Sequence, residues 1–281
     1  MKCAWNELLT ILPPDIRRVV DKPGKEELEE LRLRVGKQIE LIFCWGSRFL
    51  PIIATERDIQ FVVNTASRYS PWSASTAVHG YITAAGGHRI GLCGDCVIQA
   101  GKVTGVRRVT SLCIRVAKAV FDISANAPKE GSVLILGPPG AGKTTFLRDL
   151  IRRRSMAGQA VAVVDERGEL FPQGDIFEGG PRTDVLIGCT KAQGVDMALR
   201  TMGPQCIAVD EITALEDCQA LMSAGWCGVS LLATAHAEDY EDLQRREVYR
   251  PLWNSGLFSK SVVLSRAKSW RLERMDLCTY S

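Results

Sequence analysis

The chain is predicted to carry an α/β domain, a mainly parallel sheet with helices on both faces, preceded by a smaller N-terminal α+β domain. Three observations predict this. The stretch Gly137-Pro138-Pro139-Gly140-Ala141-Gly142-Lys143-Thr144 fits the pattern G-x-x-x-x-G-K-[ST]. From Val133 onward, short apolar runs alternate with segments of helical spacing. Before that, Phe121–Gly131 is polar and holds a Pro and a Gly, which reads as a linker. The expected division is residues 1–126 and 127–281.

The glycine stretch follows Ser132-Val133-Leu134-Ile135-Leu136, a buried-strand pattern, and precedes Thr145-Phe146-Leu147-Arg148-Asp149-Leu150-Ile151, which has helical spacing. Strand, loop, helix is the context such a loop needs. Glycines let backbone N–H groups turn inward onto an anion. The helix N-terminus adds about half a positive charge at the same place. Lys143 supplies a mobile full charge for β- and γ-phosphates, and the Thr144 hydroxyl can ligate Mg²⁺. The expected nucleotide-binding set is Gly137, Pro138, Pro139, Gly140, Ala141, Gly142, Lys143, Thr144 and Thr145.

Further strands are expected at Val133–Leu136, Ala160–Val164, Val185–Ile187, Ile207–Val209, Val229–Ala233 and Val262–Leu264. Helices are expected to start near Thr144, Gln193, Ala214 and Asp239. This alternation implies right-handed βαβ units and a ligand at the carboxyl ends of the strands. The class is a P-loop NTPase fold of the RecA/ASCE-like kind.

The earlier part mixes helices and hairpins. Leu31-Arg32-Leu33-Arg34-Val35 alternates as a half-exposed strand, and Ile39–Phe43 follows the Gly36-Lys37 turn. Thr55 reads as the N-cap of a helix carrying Ile59, Val62, Val63 and Ala66. His79–Thr83 and Arg89–Leu92 read as a hairpin turning at Gly86-Gly87; Cys96–Ile98 and Lys102-Val103 read as another, turning at Ala100-Gly101. Leu112–Val116 is a further strand. The C-x-x-C of Cys93 and Cys96 lacks a second ligand pair, so it is read as a turn between strands rather than a metal or redox site.

Composition excludes several classes. A net charge of +3 does not by itself argue for nucleic acid. No apolar run approaches the ~20 residues that cross a bilayer, and Glu7, Pro13, Pro14 and Asp15 interrupt any leader-like segment. A cytoplasmic protein with reduced cysteines is expected; Cys206 and Cys218 are small core hydrophobes.

Three strand ends carry acids or polar groups. Cys206-Ile207-Ala208-Val209 ends in Asp210-Glu211. Asp210 is placed to hold the Mg²⁺ shell, and Glu211 to orient or deprotonate a water. Val161-Ala162-Val163-Val164 ends in Asp165-Glu166-Arg167-Gly168-Glu169; Asp165, Glu166 or Glu169 could ligate metal or water, or pair with Arg167. Leu231-Leu232-Ala233 ends in Thr234-Ala235-His236, where Thr234 and His236 could read a γ-phosphate. Arg89, Arg107, Arg108 and Arg115 are candidates for an arginine delivered to the nucleotide. Arg152-Arg153-Arg154 is read as a helix C-terminal cap.

In order, these motifs match the Walker A, Asp box, Walker B and His box of type II and type IV secretion ATPases, which the chain resembles. The runs Glu30–Gly36, Gly86–Leu92 and Val164–Glu169 are similar to the stage III sporulation protein AA family of endospore-forming bacteria. This resemblance covers nearly the whole chain. It implies an ATP- and Mg²⁺-dependent ATPase forming a hexameric ring in the mother-cell cytosol. The ring would lie at the membrane through other stage III sporulation membrane proteins, under a channel to the forespore. Secretion ATPases bring N-terminal arginines to the nucleotide, which the resemblance carries to Arg89 and Arg115. The Asp-box glutamate falls on Asp165 rather than Glu166. The Walker B Gly-Glu is Asp210-Glu211 here, which makes Glu211 the better catalytic match. The tetracysteine zinc site of some relatives has no counterpart.

Two other readings compete. A nucleotide-gated assembly platform would bind ATP with little turnover. A RecA-like nucleic-acid motor is disfavoured by the small charge and the lack of a basic, aromatic-rich stripe. Thr190-Lys191-Ala192-Gln193 lacks the Asp that reads guanine in GTPases, which disfavours GTP.

Overall fold

The computed structural model describes residues 2–21, 27–68, 80–172 and 177–275. Its contacts gather into two compact units: Met1–Ala119 with Pro172–Phe177, and Val120–Phe171 with Glu178–Ser281.

The first unit contains β1 (Lys2–Cys3), α1 (Trp5–Ile11), α2 (Pro14–Val20), β2 (Leu28–Arg34), β3 (Gln38–Phe43), β4 (Gly46–Ile53), α3 (Glu56–Arg68), β5 (Tyr81–Thr83), β6 (Arg89–Gln99), β7 (Lys102–Arg115) and β8 (Lys118–Ala119). Six strands form an antiparallel sheet in the order β4-β3-β2-β7-β6-β5, and β1 pairs with β8. In β2, Leu31 and Leu33 enter the core, while Arg32 pairs with Glu30 and Arg34 with Glu40. The two-residue side-chain period produces this split. The core packs Trp5, Leu8, Ile11, Ile16, Ile59 and Val62 with Leu31, Leu33, Ile39 and Ile114. Thr55 caps α3 as expected: its hydroxyl accepts from Asp58 N at 3.2 Å, and Asp58 Oδ2 accepts from Thr55 N at 2.8 Å.

The long β6–β7 hairpin turns at Ala100 and Gly101, whose φ values are 48° and 76°. Both are left-handed, as a tight hairpin turn requires. Cys93 and Cys96 are not in a turn. Both lie inside β6, opposite Ser111 and Val106, in a stretch broken by bulges around Gly94. A Cβ on Gly94 would meet the Arg108 carbonyl oxygen at 2.4 Å, so the glycine signals close strand approach. β4 was not anticipated, because Arg48 and Pro51 obscure its alternation. His79, at the start of the expected hairpin, lies outside the described residues. His88 is fully buried; Ala4 O accepts from Nε2 at 2.8 Å and Ala117 N donates to Nδ1 at 3.0 Å. Burial pulls its pKa below the usual histidine value.

The second unit contains β9 (Val133–Leu136), α4 (Lys143–Met156), β10 (Val161–Asp165), β11 (Thr183–Ile187), α5 (Lys191–Thr201), β12 (Cys206–Val209), α6 (Leu215–Trp226), β13 (Ser230–Ala235), α7 (Tyr240–Arg245), α8 (Arg250–Asn254), β14 (Lys260–Leu264) and β15 (Trp270–Arg274). The sheet order is β11-β10-β12-β13-β9-β14-β15. Every pairing is parallel except β14 with β15. β15 is the strand sequence reading missed: its Arg-Leu-Glu-Arg alternation is that of an exposed edge. Strands β9 and β12 are buried along their whole length. A sheet covered on both faces accounts for such unbroken apolar runs. Leu134, Leu136, Ile207, Val209, Leu231 and Ala233 pack with Val195, Leu221 and Leu252 of the helices. The opposite face meets α4, which contacts β9, β10 and β13.

The stretch expected to be a linker belongs to this unit and is tied to α4. Asp149 Oδ2 accepts from Ser124 N at 2.9 Å and Ser124 Oγ at 2.7 Å; Oδ1 accepts from Asp122 N at 3.0 Å. Arg153 and Arg154 lie in the last turn of α4, as expected, and all three arginines also hold the same stretch. Arg152 bonds Asp122 and Asp149, Arg153 bonds Ala125 O, and buried Arg154 donates to Gly131 O at 2.7 Å. The polar residues that read as a linker are hydrogen-bond partners for a helix distant in sequence.

Burial alone would raise the pKa of Asp149, but its bonds from Ser124, Arg152 and Asp122 outweigh burial and lower it. A depressed folded-state pKa stabilises above the unfolded value and is lost as pH falls through the folded one. Asp149→Asn should therefore cost about 2–3 kcal/mol near neutral pH and flatten the acid side of the stability profile, as measured by urea unfolding between pH 3 and 7.

Candidate active site

Parallel strands bring their carboxyl ends to one edge. Val164 pairs with Val209, Val209 with Ala233, and Ala235 with Leu136. One residue further, Asp165, Asp210 and Thr234 stand side by side, and His236 follows beside Gly137. The spacing is set by register and needs no loop to create it.

Gly137 has a φ of 155°, and a Cβ there would lie 2.9 Å from the Leu264 carbonyl oxygen. Gly140 and Gly142 have φ values of 76° and 100°. These left-handed residues turn the chain back into α4. Pro139 and Gly140 are exposed at the loop tip, where Lys268 donates to Gly140 O; Ala141 is buried beneath, donating to Pro138 O. Thr145 lies half-buried in the first turn of α4.

Lys143 Nζ is 2.7 Å from Gly137 O, 3.2 Å from Pro138 O and 3.0 Å from His236 Nδ1. An ammonium has three protons, and these three acceptors match them. Nδ1 of His236 therefore accepts, so Nε2 carries the hydrogen and donates to Glu211 Oε1 at 3.1 Å. Glu211 Oε2 lies 3.4 Å from Arg167 Nη1. Burial pulls the Lys143 pKa below the usual lysine value, with Asp210 and Glu211 opposing that.

A second network runs beneath. Asp210 Oδ2 accepts from Thr144 Oγ1 at 2.8 Å, and Oδ1 accepts from Thr234 Oγ1 at 2.6 Å. Thr234 Oγ1 in turn accepts from Glu211 N at 2.7 Å. Glu211 has a φ of 50°, an uncommon conformation for a non-glycine residue. Ile212 N, donating to Thr234 O at 2.8 Å, fixes the bend. This strained turn swings Glu211 off the strand line and onto His236. Thr234 thus orients the two acids, a role its sequence position did not specify. Thr144 and Asp210 present hard oxygens of the kind Mg²⁺ prefers.

Asp165 and Glu166 have different surroundings. Asp165 is buried, and its carboxylate accepts from the backbone N–H groups of Glu169, Leu170 and Phe171, each at 2.9 Å. Burial raises its pKa, those amides hold it back, and Asp210 raises it further. Its carboxylate organises the 166–171 turn. Arg148 on α4 donates to Leu170 O and to Glu169 O, and burial lowers its pKa to about 10. Glu166 instead faces the pocket and bonds Lys191 at 2.6 Å. Lys191, Asp217 and Arg148 are site neighbours that motif reading missed, because each sits in a helix with no strand-end signature.

Arg89 and Arg115 lie in the first unit as a directly opposed cross-strand pair on β6 and β7. The Arg89 guanidinium is 3.8 Å from the Tyr81 ring centre, and Arg115 Nε is 3.4 Å from Glu30 Oε1. Cys206 and Cys218 are buried; burial, then Asp217, pushes the Cys218 thiol up to about 12. Such thiols are inert.

The parallel sheet and its glycine loop define a P-loop α/β fold. The sequence profile of the family described as Sporulation stage III, protein AA matches residues 4–272, and the chain belongs to that family. It is 34% identical to stage III sporulation protein AA of Bacillus subtilis (strain 168), over 94% of this chain and 92% of that protein. Its fold is similar to the Legionella pneumophila ATPase DotB: TM-score 0.61, 16% identity, 94% of this chain and 80% of that one. It is likewise similar to the pilus retraction motor PilT with bound ADP: TM-score 0.61, 14% identity, 94% and 83% covered. Among the described residues, no helix is long and apolar enough to cross a membrane.

Thr234→Val keeps shape but leaves Asp210 Oδ1 and Glu211 N without their shared hydroxyl. Chemical denaturation should show a loss of about 1–3 kcal/mol.

Proposed function

We propose that this chain is a Mg²⁺-dependent ATP hydrolase that forms a hexameric ring and energises or assembles a mother-cell-to-forespore channel complex. One observation carries the reading: Lys143, His236 and Glu211 form a continuous hydrogen-bonded chain from the phosphate loop to a carboxylate that can address water. The backbone N–H groups of the loop and the start of α4 cradle the β-phosphate. Lys143 transfers from His236 to the γ-phosphate, and His236 then reports that phosphate to Glu211. Glu211 orients the attacking water and takes its proton. Bound Mg²⁺, held through Thr144 and Asp210, would neutralise β- and γ-phosphate charge. Asp165 holds the neighbouring turn, and Glu166 faces the same pocket.

The first unit supplies Arg89 and Arg115 in this reading, as the secretion-ATPase resemblance suggests. Family membership supports the sporulation setting, with other stage III sporulation membrane proteins as partners and the mother-cell cytosol as location. The likeness to an ATPase and to a motor with bound ADP supports the nucleotide.

Calorimetry and a phosphate-release assay test the reading. Lys143→Ala should abolish ATP binding. Glu211→Gln should bind ATP within about threefold of the parent while turnover falls about 10²–10⁴-fold. A parent that binds ATP without measurable turnover would reject the hydrolase in favour of a nucleotide-gated platform. Mass photometry with a non-hydrolysable analogue should show a ring; a persistent monomer would reject the motor.

A further inference from the structure

The geometry points to Lys191 as the residue that positions Glu166 for the reaction, an inference that rests on the hydrolase reading above. Lys191 opens α5, directly after its N-cap Thr190. A cation there meets the positive end of the helix dipole. The residue is also only 6% exposed. Both conditions disfavour lysine. Capping does not explain it either: Thr190 and Gln193 already close the helix start reciprocally.

Its partners do explain it. Nζ is 2.6 Å from Glu166 Oε2 and 3.7 Å from Asp217 Oδ2. Asp217 Oδ2 also accepts from Thr213 N at 2.9 Å and Ala214 N at 3.2 Å, so it is fixed to the turn that follows Glu211. Lys191 therefore clamps two acid-bearing turns together, one after β10 and one after β12. The pocket they share is lined by Asp165, Glu166, Glu169, Asp210 and Glu211, with Arg167 and Lys191 as its cations. Arg167 faces Glu211. Lys191 faces Glu166 and holds it against the repulsion of the other acids. The charge of Lys191 is directed at two carboxylates, so it acts through Glu166.

Replacement by Met should be tolerated structurally. Glu166 is partly exposed and can turn to water, and Asp217 keeps its backbone donors. In steady-state ATPase assays, Lys191→Met should lower kcat about 10–100-fold with KM for ATP within about threefold, because misplacing one group acts on the chemical step. Glu166→Gln should give a similar loss, and the double variant should be no slower than Glu166→Gln alone. A parental kcat in Lys191→Met, or multiplicative losses in the double variant, would overturn the assignment. If Lys191→Met does not fold by circular dichroism, Lys191→Arg carries the test: it keeps charge but displaces Glu166. Its kcat should fall at least about fivefold with KM held; parental kcat would again overturn the assignment. Absence of turnover in the parent defeats the hydrolase reading itself, and this inference with it.

Discussion

One ammonium group holds the site together. Lys143 divides its hydrogen bonds between two carbonyls of its own loop and the ring of His236. The loop carbonyls keep the glycine turn closed around the lysine. The third bond sets the His236 tautomer, and the tautomer makes His236 a donor toward Glu211. Lys143 and Glu211 are thus joined through a single imidazole ring. A phosphate oxygen is a stronger acceptor for ammonium than a neutral imidazole, because the bond is charge-assisted.

The sheet makes that arrangement possible. Parallel register fixes Asp165, Asp210 and Thr234 at one level, and the same register sets His236 beside Gly137. Among the non-glycine residues at these strand ends, Glu211 departs from regular geometry, with its left-handed φ. The cost of that bend is met by two bonds to Thr234, one from Glu211 N and one from Ile212 N. Strain confined to the candidate general base, in an otherwise regular sheet, is what a preorganised site requires.

Most of the second unit was legible because its strands are buried on both faces. Unbroken runs such as Val161-Ala162-Val163-Val164 have few other readings, and acids at their ends announce a ligand edge. The glycine loop was legible because its φ values demand glycine. Residues acting at a distance in sequence were not legible. Asp122 and Ser124 look like linker residues until Asp149 is seen to need them. Arg154 reads in sequence as part of a helix C-terminal cap, yet it is buried against Gly131. Asp165 and Glu166 are neighbours of like charge that line one pocket, but the first is held by backbone amides and the second by Lys191. Cys93 and Cys96 suggested a turn because the bulges around Gly94 break the alternation that marks a strand.

A bound triphosphate should take Lys143 away from His236. The chain has only three histidines, so ¹⁵N-histidine NMR can resolve His236. In the nucleotide-free protein, Nε2 should be protonated and Nδ1 should show the shift of a nitrogen bonded to a cation. A non-hydrolysable ATP analogue with Mg²⁺ should move Nδ1 to the position of a released acceptor, and ADP should not. A His236 spectrum identical with and without the triphosphate would show that Lys143 does not leave His236.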